Sequence, residues 1–196
     1  MTLLQRLPNI LTSSRIVLAA IFLLSIFSSF KWASVVALVI FTAASLTDYY
    51  DGKLARKLGV VSKFGAFLDP LADKILIMGA FISFVSLELI PAWMVIVILA
   101  REFMITGLRL LAAGSSRRSI PASRLAKHKT VSQVIAVYLI LISISLRDLS
   151  VTPQIYISYV EVLILGFMYL TVLLTLVSGV LYIYNHRDVF SKRSLN

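Results

Sequence analysis

Six long apolar runs, each closed by a short polar break, divide the chain into segments at roughly 10–30, 33–55, 65–87, 91–112, 128–146 and 154–184. Each run is near or above the ~20 residues that a helix needs to cross a bilayer. Lys31-Trp32 separates the first two, and the polar stretch Lys57 to Lys63 joins the second and third. Glu88 and Pro91 part the third from the fourth, and Arg147 to Pro153 turns the chain before the sixth. The longest polar connection, Gly114 to Lys129, carries Arg117, Arg118, Arg124, Lys127 and Lys129. Ahead of the first run, Leu3-Leu4-Gln5-Arg6-Leu7-Pro8 has the mixed character of a short helix lying in a membrane surface. The pattern predicts an all-α integral membrane protein: six transmembrane helices, a short N-terminal interfacial helix, and one domain over 1–196.

Composition agrees. The 196 residues are 59% hydrophobic and 14% charged, with mean hydropathy +0.94, whereas a soluble domain carries about 25% charged residues. There is no cysteine, which excludes disulfides and thiolate metal sites. The stretch Met1 to Arg15 runs into the first apolar segment without a cleavage site of the signal-peptide kind. The net charge of +10 would point to nucleic acid in a soluble protein. Here there are no aromatic-basic repeats or nucleic-acid motifs, and topology explains the charge. With both termini inside, the outer turns hold only Lys31 and Arg147, and the inner side holds nearly all other lysines and arginines, including Arg187, Lys192 and Arg193.

Within this apolar frame, four of the nine acidic residues fall between positions 48 and 73, at the inner ends of the second and third segments. Carboxylates near a bilayer are costly unless something binds them. Asp48 and Asp51 are three apart, and Asp69 and Asp73 four apart, so on helices each pair projects from one face. Two such pairs suit an all-oxygen cage for hard divalent cations, and two bridged ions stabilise in-line displacement at phosphorus. Gly52 stands mid-helix after Asp51, a position that favours either close approach to the backbone or helix packing. Asn9, Thr12 and Arg15 repeat every three residues along the first helix, as a functional row or as a cap with a snorkelling arginine. His128 and His186 are read as structural, and Glu161 as an interface residue.

The run from Asp48 to Asp73 matches D-x2-D-G-x2-A-R-x8-G-x3-D-x3-D at every fixed position. In this the chain resembles the CDP-alcohol phosphotransferases, integral membrane enzymes of phospholipid synthesis. The resemblance implies Mg²⁺ or Mn²⁺, as two ions, held by Asp48, Asp51, Asp69 and Asp73, with Asp73 also the catalytic base that accepts the proton of the attacking alcohol. It implies that Gly52, Ala55 and Arg56 contact the CMP portion of a CDP-linked lipid, and that Gly65 lets the third helix approach the second. It also implies a homodimer. An N-x-x-T-x-x-R run like Asn9-Thr12-Arg15 opens the first helix of similar enzymes.

A second polar cluster lies in the fourth segment, Ala100-Arg101-Glu102-Phe103-Met104-Ile105-Thr106-Gly107-Leu108-Arg109. Glu102, Thr106 and Arg109 share a helix face, with Arg101 to one side. Ionisable groups inside a membrane segment should face the bundle and be paired, so Glu102 is expected in a structural ion pair. Arg109, Lys127 and Lys129 are candidates to hold a phosphate dianion, while Arg117 and Arg118 read as a solvated loop. This run, with Ala126-Lys127-His128-Lys129-Thr130, resembles the bacterial phosphatidylglycerophosphate synthase branch, where G-K-x-K-T is usual; alanine replaces the glycine here. The resemblance implies CDP-diacylglycerol as donor, sn-glycerol 3-phosphate as acceptor, and a multi-pass place in the bacterial inner membrane with the site facing the cytoplasm. The alternatives are a phosphatidylinositol-phosphate or cardiolipin synthase, or a divalent-cation transporter. A transporter should spread polar groups across the bilayer, whereas these acids cluster at one end.

Overall fold

The structure is a computed structural model. It describes the backbone of residues 3–58, 63–113, 124–150 and 154–185, and side chains within 14–47, 74–108, 128–150 and 157–185. All of the described secondary structure is helical: α1 Leu3–Ile26, α2 Ala33–Leu58, α3 Lys63–Ser86, α4 Ala92–Ala113, α5 Arg124–Asp148 and α6 Gln154–Asn185. The six apolar runs each became one helix.

Two boundaries depart from expectation. The N-terminal stretch is helical but continuous with α1, not a separate short helix. Pro8 lacks an amide hydrogen, which removes one backbone bond near the helix start and leaves the rest of the ladder intact. At its other end α1 stops at Ile26 and does not run on to about 30. There Ser28 Oγ donates to the Leu24 carbonyl at 2.6 Å, while the Ser28 amide turns to Ser25 O at 3.1 Å. The hydroxyl competes for the carbonyl that the next helical bond would use.

The C-terminus of α3 closes on itself. Leu89 N donates to Phe84 O at 2.9 Å and Glu88 N to Val85 O at 3.0 Å, with Glu88 at φ 58°. This is a left-handed cap of the kind glycine usually supplies, and Pro91 follows where the helix cannot continue. Ser150, at φ 56°, ends α5 in the same way, its amide donating to Arg147 O at 2.9 Å.

The helices form two compact units. The first comprises residues 1–89 and 137–160, that is α1, α2, α3 and the second half of α5. In it α1 packs on both α2 and α3. The buried positions Ala33, Ala37, Phe41 and Ala44 recur at helical spacing along α2, as Ala19, Phe22 and Ile26 do along α1. Phe22 meets Phe41 at 5.9 Å between centroids, and Phe41 meets Tyr138 edge-on at 5.2 Å. The small residue Gly79 brings α3 onto Leu23 of α1.

The second unit comprises residues 90–136 and 161–196, that is α4, the first half of α5 and most of α6. Ile164, Met168, Thr171, Thr175, Ser178 and Tyr182 form one buried stripe down α6. Trp93 stacks near Tyr169 at 5.8 Å, and Arg101 bonds Ser178 at 3.1 Å. The two contacts advance together, so α4 and α6 run parallel.

Several hydroxyls along the apolar helices are satisfied locally. Thr42 donates to Leu38 O, Ser83 to Gly79 O and Thr171 to Phe167 O, each four residues back. That removes the penalty of a bare polar group in hydrocarbon. Among the described residues, His128–Asp148 and Ile157–Asn185 are long and apolar enough to cross a membrane. The outward faces are apolar as well: Val162, Leu163 and Val180 of α6 are exposed by 65% or more. Such a surface suits a lipid solvent.

Candidate active site

The four aspartates lie on the adjoining ends of α2 and α3. Asp48 is ten residues before the last residue of α2, Leu58, and Asp73 is ten after the first of α3, Lys63. At 1.5 Å per residue, both sit about 15 Å from their helix ends. Asp51 and Asp69 stand at about 10 Å by the same measure. The consecutive helices α2 and α3 therefore carry one carboxylate pair each, spaced within the pair so that both fall on one helix face. The side chains of Asp48, Asp51, Gly52, Ala55, Arg56, Asp69 and Asp73 lie outside the described residues, as do those of Asn9 and Thr12. Gly65 falls in α3, and Arg15 is half-buried in α1.

The second cluster is described in detail for three of its charged members. Arg101, Glu102 and Lys129 are buried, at 8%, 5% and 4% exposure. Both cations converge on one carboxylate oxygen: Lys129 Nζ and Arg101 Nη1, the latter at 3.3 Å, contact Glu102 Oε1. Arg101 also donates through Nη2 to Ser178 Oγ, which in turn donates to Thr175 O at 3.0 Å. The ion pair expected for Glu102 is present, and it ties α4 to the start of α5.

Arg101 does not stand aside. It lies across α6 at Gly179, where an added Cβ would come within 3.2 Å of Arg101 Cγ. Sequence reasoning missed Ser178 and Gly179. The available signal was a pair of small residues closing a stripe of Thr171, Thr175 and Ser178 in an otherwise apolar helix. It also missed Gln133, buried one turn beyond Lys129, whose Nε2 has no hydrogen-bond partner among the described residues. Thr106 is half-buried on α4. Arg109 and Lys127 belong to α4 and α5, with side chains outside the described residues, and Arg117 and Arg118 lie outside them altogether.

The cluster can fix one ammonium group in place. Glu102 supplies the charge that makes burial of Lys129 tolerable, and Arg101, anchored by Ser178, sets the position of Glu102.

Comparison with known proteins gives the family. The profile of the CDP-alcohol phosphatidyltransferases matches residues 5–177. The CDP-diacylglycerol–glycerol-3-phosphate 3-phosphatidyltransferase of Bacillus subtilis is 45% identical over 148 residues, covering 69% of this chain and 76% of its own length. A probable phosphatidylglycerophosphate synthase of Mycobacterium tuberculosis is 40% identical over 180 residues, covering 90% of this chain and 79% of its own length. The enzyme of Rickettsia felis that bears the same name as the Bacillus protein is 37% identical over 138 residues, 70% of this chain and 76% of its own. With the profile spanning most of the chain and the aspartate motif intact on α2 and α3, the chain belongs to the CDP-alcohol phosphatidyltransferase family.

Proposed function

We infer that the chain transfers a phosphatidyl group from CDP-diacylglycerol to sn-glycerol 3-phosphate, forming phosphatidylglycerophosphate and releasing CMP. The observation that carries this reading is the 45% identity to a protein of that name, over a span that includes most of the chain. The test is an acceptor screen. Purified protein, CDP-diacylglycerol and a divalent metal are given a panel of alcohols, and CMP and lipid product are measured. Glycerol 3-phosphate should be the preferred acceptor; inositol phosphate, phosphatidylglycerol or free glycerol as the preferred acceptor would overturn the assignment.

In the reaction, the acceptor hydroxyl oxygen bonds to the phosphorus that carries diacylglycerol. The bond from that phosphorus to the pyrophosphate bridging oxygen breaks, and CMP departs with the bridging oxygen. Bound Mg²⁺ or Mn²⁺ would neutralise the pyrophosphate charge. Asp48, Asp51 and Asp69 would hold the metal, with Asp73 as a further contact. Asp73 takes the proton from the acceptor hydroxyl. Gly52 and Ala55 leave space for the nucleotide, and Arg56 meets its phosphates. Arg109, Lys127 and Lys129 bind the acceptor phosphate, Lys129 from the position that Glu102 gives it. We place all six helices across the bacterial inner membrane as one domain, with the N-terminal part of α1 in the interface, the aspartates toward the cytoplasm, and a homodimer as the working unit.

Two results would resolve these roles. Asp73→Asn should abolish turnover yet keep binding of CDP-diacylglycerol, measured by competition with CMP, because three carboxylates remain to hold metal. Loss of nucleotide binding would make Asp73 chiefly a ligand. Arg109→Gln and Lys127→Gln should each raise KM for glycerol 3-phosphate by about tenfold or more, since a charge-assisted contact contributes about 1.5–3 kcal/mol. Dependence on CDP-diacylglycerol should change far less, and Arg117→Gln and Arg118→Gln serve as controls. Unchanged KM in the first two variants would remove them from the acceptor site.

A further inference from the structure

At the end of the first unit away from the aspartates, where α1 leaves and α2 begins, there is a cavity of about 380 Å³. Ser34, in the first turn of α2, lines it. Ser34 is 4% exposed, and its Oγ has no hydrogen-bond partner among the described residues. A buried hydroxyl left unpaired on a cavity wall marks a place where something bound there completes the bond. The turn before α2 satisfies the Ala33 amide through Phe30 O at 3.0 Å and the Val36 amide through Trp32 O at 2.9 Å. The Ser34 and Val35 amides lie between these two, at the electropositive start of a 26-residue helix.

The charged lining has the same sense. Lys31 and Arg147 both border the cavity, against a single carboxylate, Asp148. These are the two cations that the inside-positive distribution leaves on the outer turns. No ion pair joins them to Asp148 among the described residues. Phe30 lines the cavity, and Phe27 and Trp32, next in the chain to lining residues, are exposed like it, at 51%, 50% and 53% for Phe27, Phe30 and Trp32. Aromatic side chains gathered at a helix end in this way sit at the level of lipid headgroups. From Ser34 to Asp48 is fourteen residues of α2, about 21 Å, so the cavity is separate from the aspartate site.

We propose that this cavity binds the phosphodiester headgroup of an anionic phospholipid in the leaflet opposite the aspartates. Lys31 and Arg147 meet the phosphate, the Ser34 hydroxyl donates to one of its oxygens, and Asp148 accepts from a headgroup hydroxyl. The two cations select an anionic lipid over a zwitterionic one, whose own ammonium offsets the phosphate.

Trp32, between the lining residues Lys31 and Ala33, serves as the reporter. Trp93→Phe leaves it as the sole tryptophan, since the chain has two. In neutral-detergent micelles, that protein is titrated with short-chain phosphatidylglycerol, short-chain phosphatidylcholine and inorganic phosphate. Phosphatidylglycerol should give a saturable change in Trp32 emission, with the other two at least tenfold weaker. Adding Lys31→Gln and Arg147→Gln should weaken phosphatidylglycerol binding tenfold or more, and Ser34→Ala should weaken it by less. A linear, unsaturable response would overturn the proposal, as would equal binding by the charge-neutralised protein. Inorganic phosphate binding as tightly would make this a soluble-anion site and overturn the lipid assignment. Neither cation belongs to the proposed transfer chemistry, so CMP release in micelles free of phosphatidylglycerol should be unchanged. Failure here is thereby separable from failure of the proposed activity.

Discussion

Asp48→Asn, Asp51→Asn and Asp69→Asn, made one at a time, should each lower turnover by on the order of a hundredfold or more while the protein remains inserted and folded. Asparagine keeps the size of aspartate and one neutral oxygen but removes the formal charge. A hard divalent cation is held by charged oxygens, and a pyrophosphate donor adds its own negative charge to the site, so the loss of one carboxylate is felt twice. Their shared role as proposed ligands makes the three variants equivalent in kind. Asp48 and Asp51 lie three residues apart on α2, and Asp69 lies on α3, the next helix. EDTA should inactivate the wild-type protein, and Mg²⁺ or Mn²⁺ should restore it. CMP release in detergent measures all four cases. Near-normal turnover in any two of the variants would remove the cage as the centre of the chemistry.

How far the fold was legible follows from what each signal measures. Hydropathy marks the part of a helix that faces an apolar environment, so it located α1 to α6 but not their ends. The run at 128–146 became a helix that begins at Arg124, because the charged turn around Lys127 is helical without being apolar. The caps were hidden for a different reason. Glu88 and Ser150 occupy left-handed positions where glycine or asparagine is the usual signal. For the aspartates, spacing alone predicts helix faces, and the backbone of α2 and α3 is helical at all four positions; their side chains lie outside the described residues. The burial of Lys129 was not legible. In Lys127-His128-Lys129 it reads as a cation free to meet a phosphate, and only the packing of α4 against α5 brings Glu102, itself held by Arg101, to it.

That packing makes Glu102 the residue whose loss should cost the most stability in the second unit. Its Oε1 is shared by Arg101 and Lys129, and all three are buried. Glu102→Gln removes from both cations the carboxylate they share, and breaking a buried pair in this way costs about 3–5 kcal/mol. Lys129→Met should cost clearly less, because Arg101 and Glu102 remain paired and methionine fills the apolar part of the space. The double variant should be more stable than Glu102→Gln alone, since it removes one of the two cations that had lost this partner, so the two effects will not add. Thermal unfolding in detergent, followed by helical circular dichroism, ranks the three proteins. A Glu102→Gln protein as stable as wild type, or a Lys129→Met protein less stable than the Glu102→Gln protein, would show that the carboxylate is not what holds these cations inside the bundle. Lys129→Met also separates the two duties assigned to this lysine: with the fold largely intact, a raised KM for glycerol 3-phosphate would come from the lost ammonium itself and not from a collapsed helix interface.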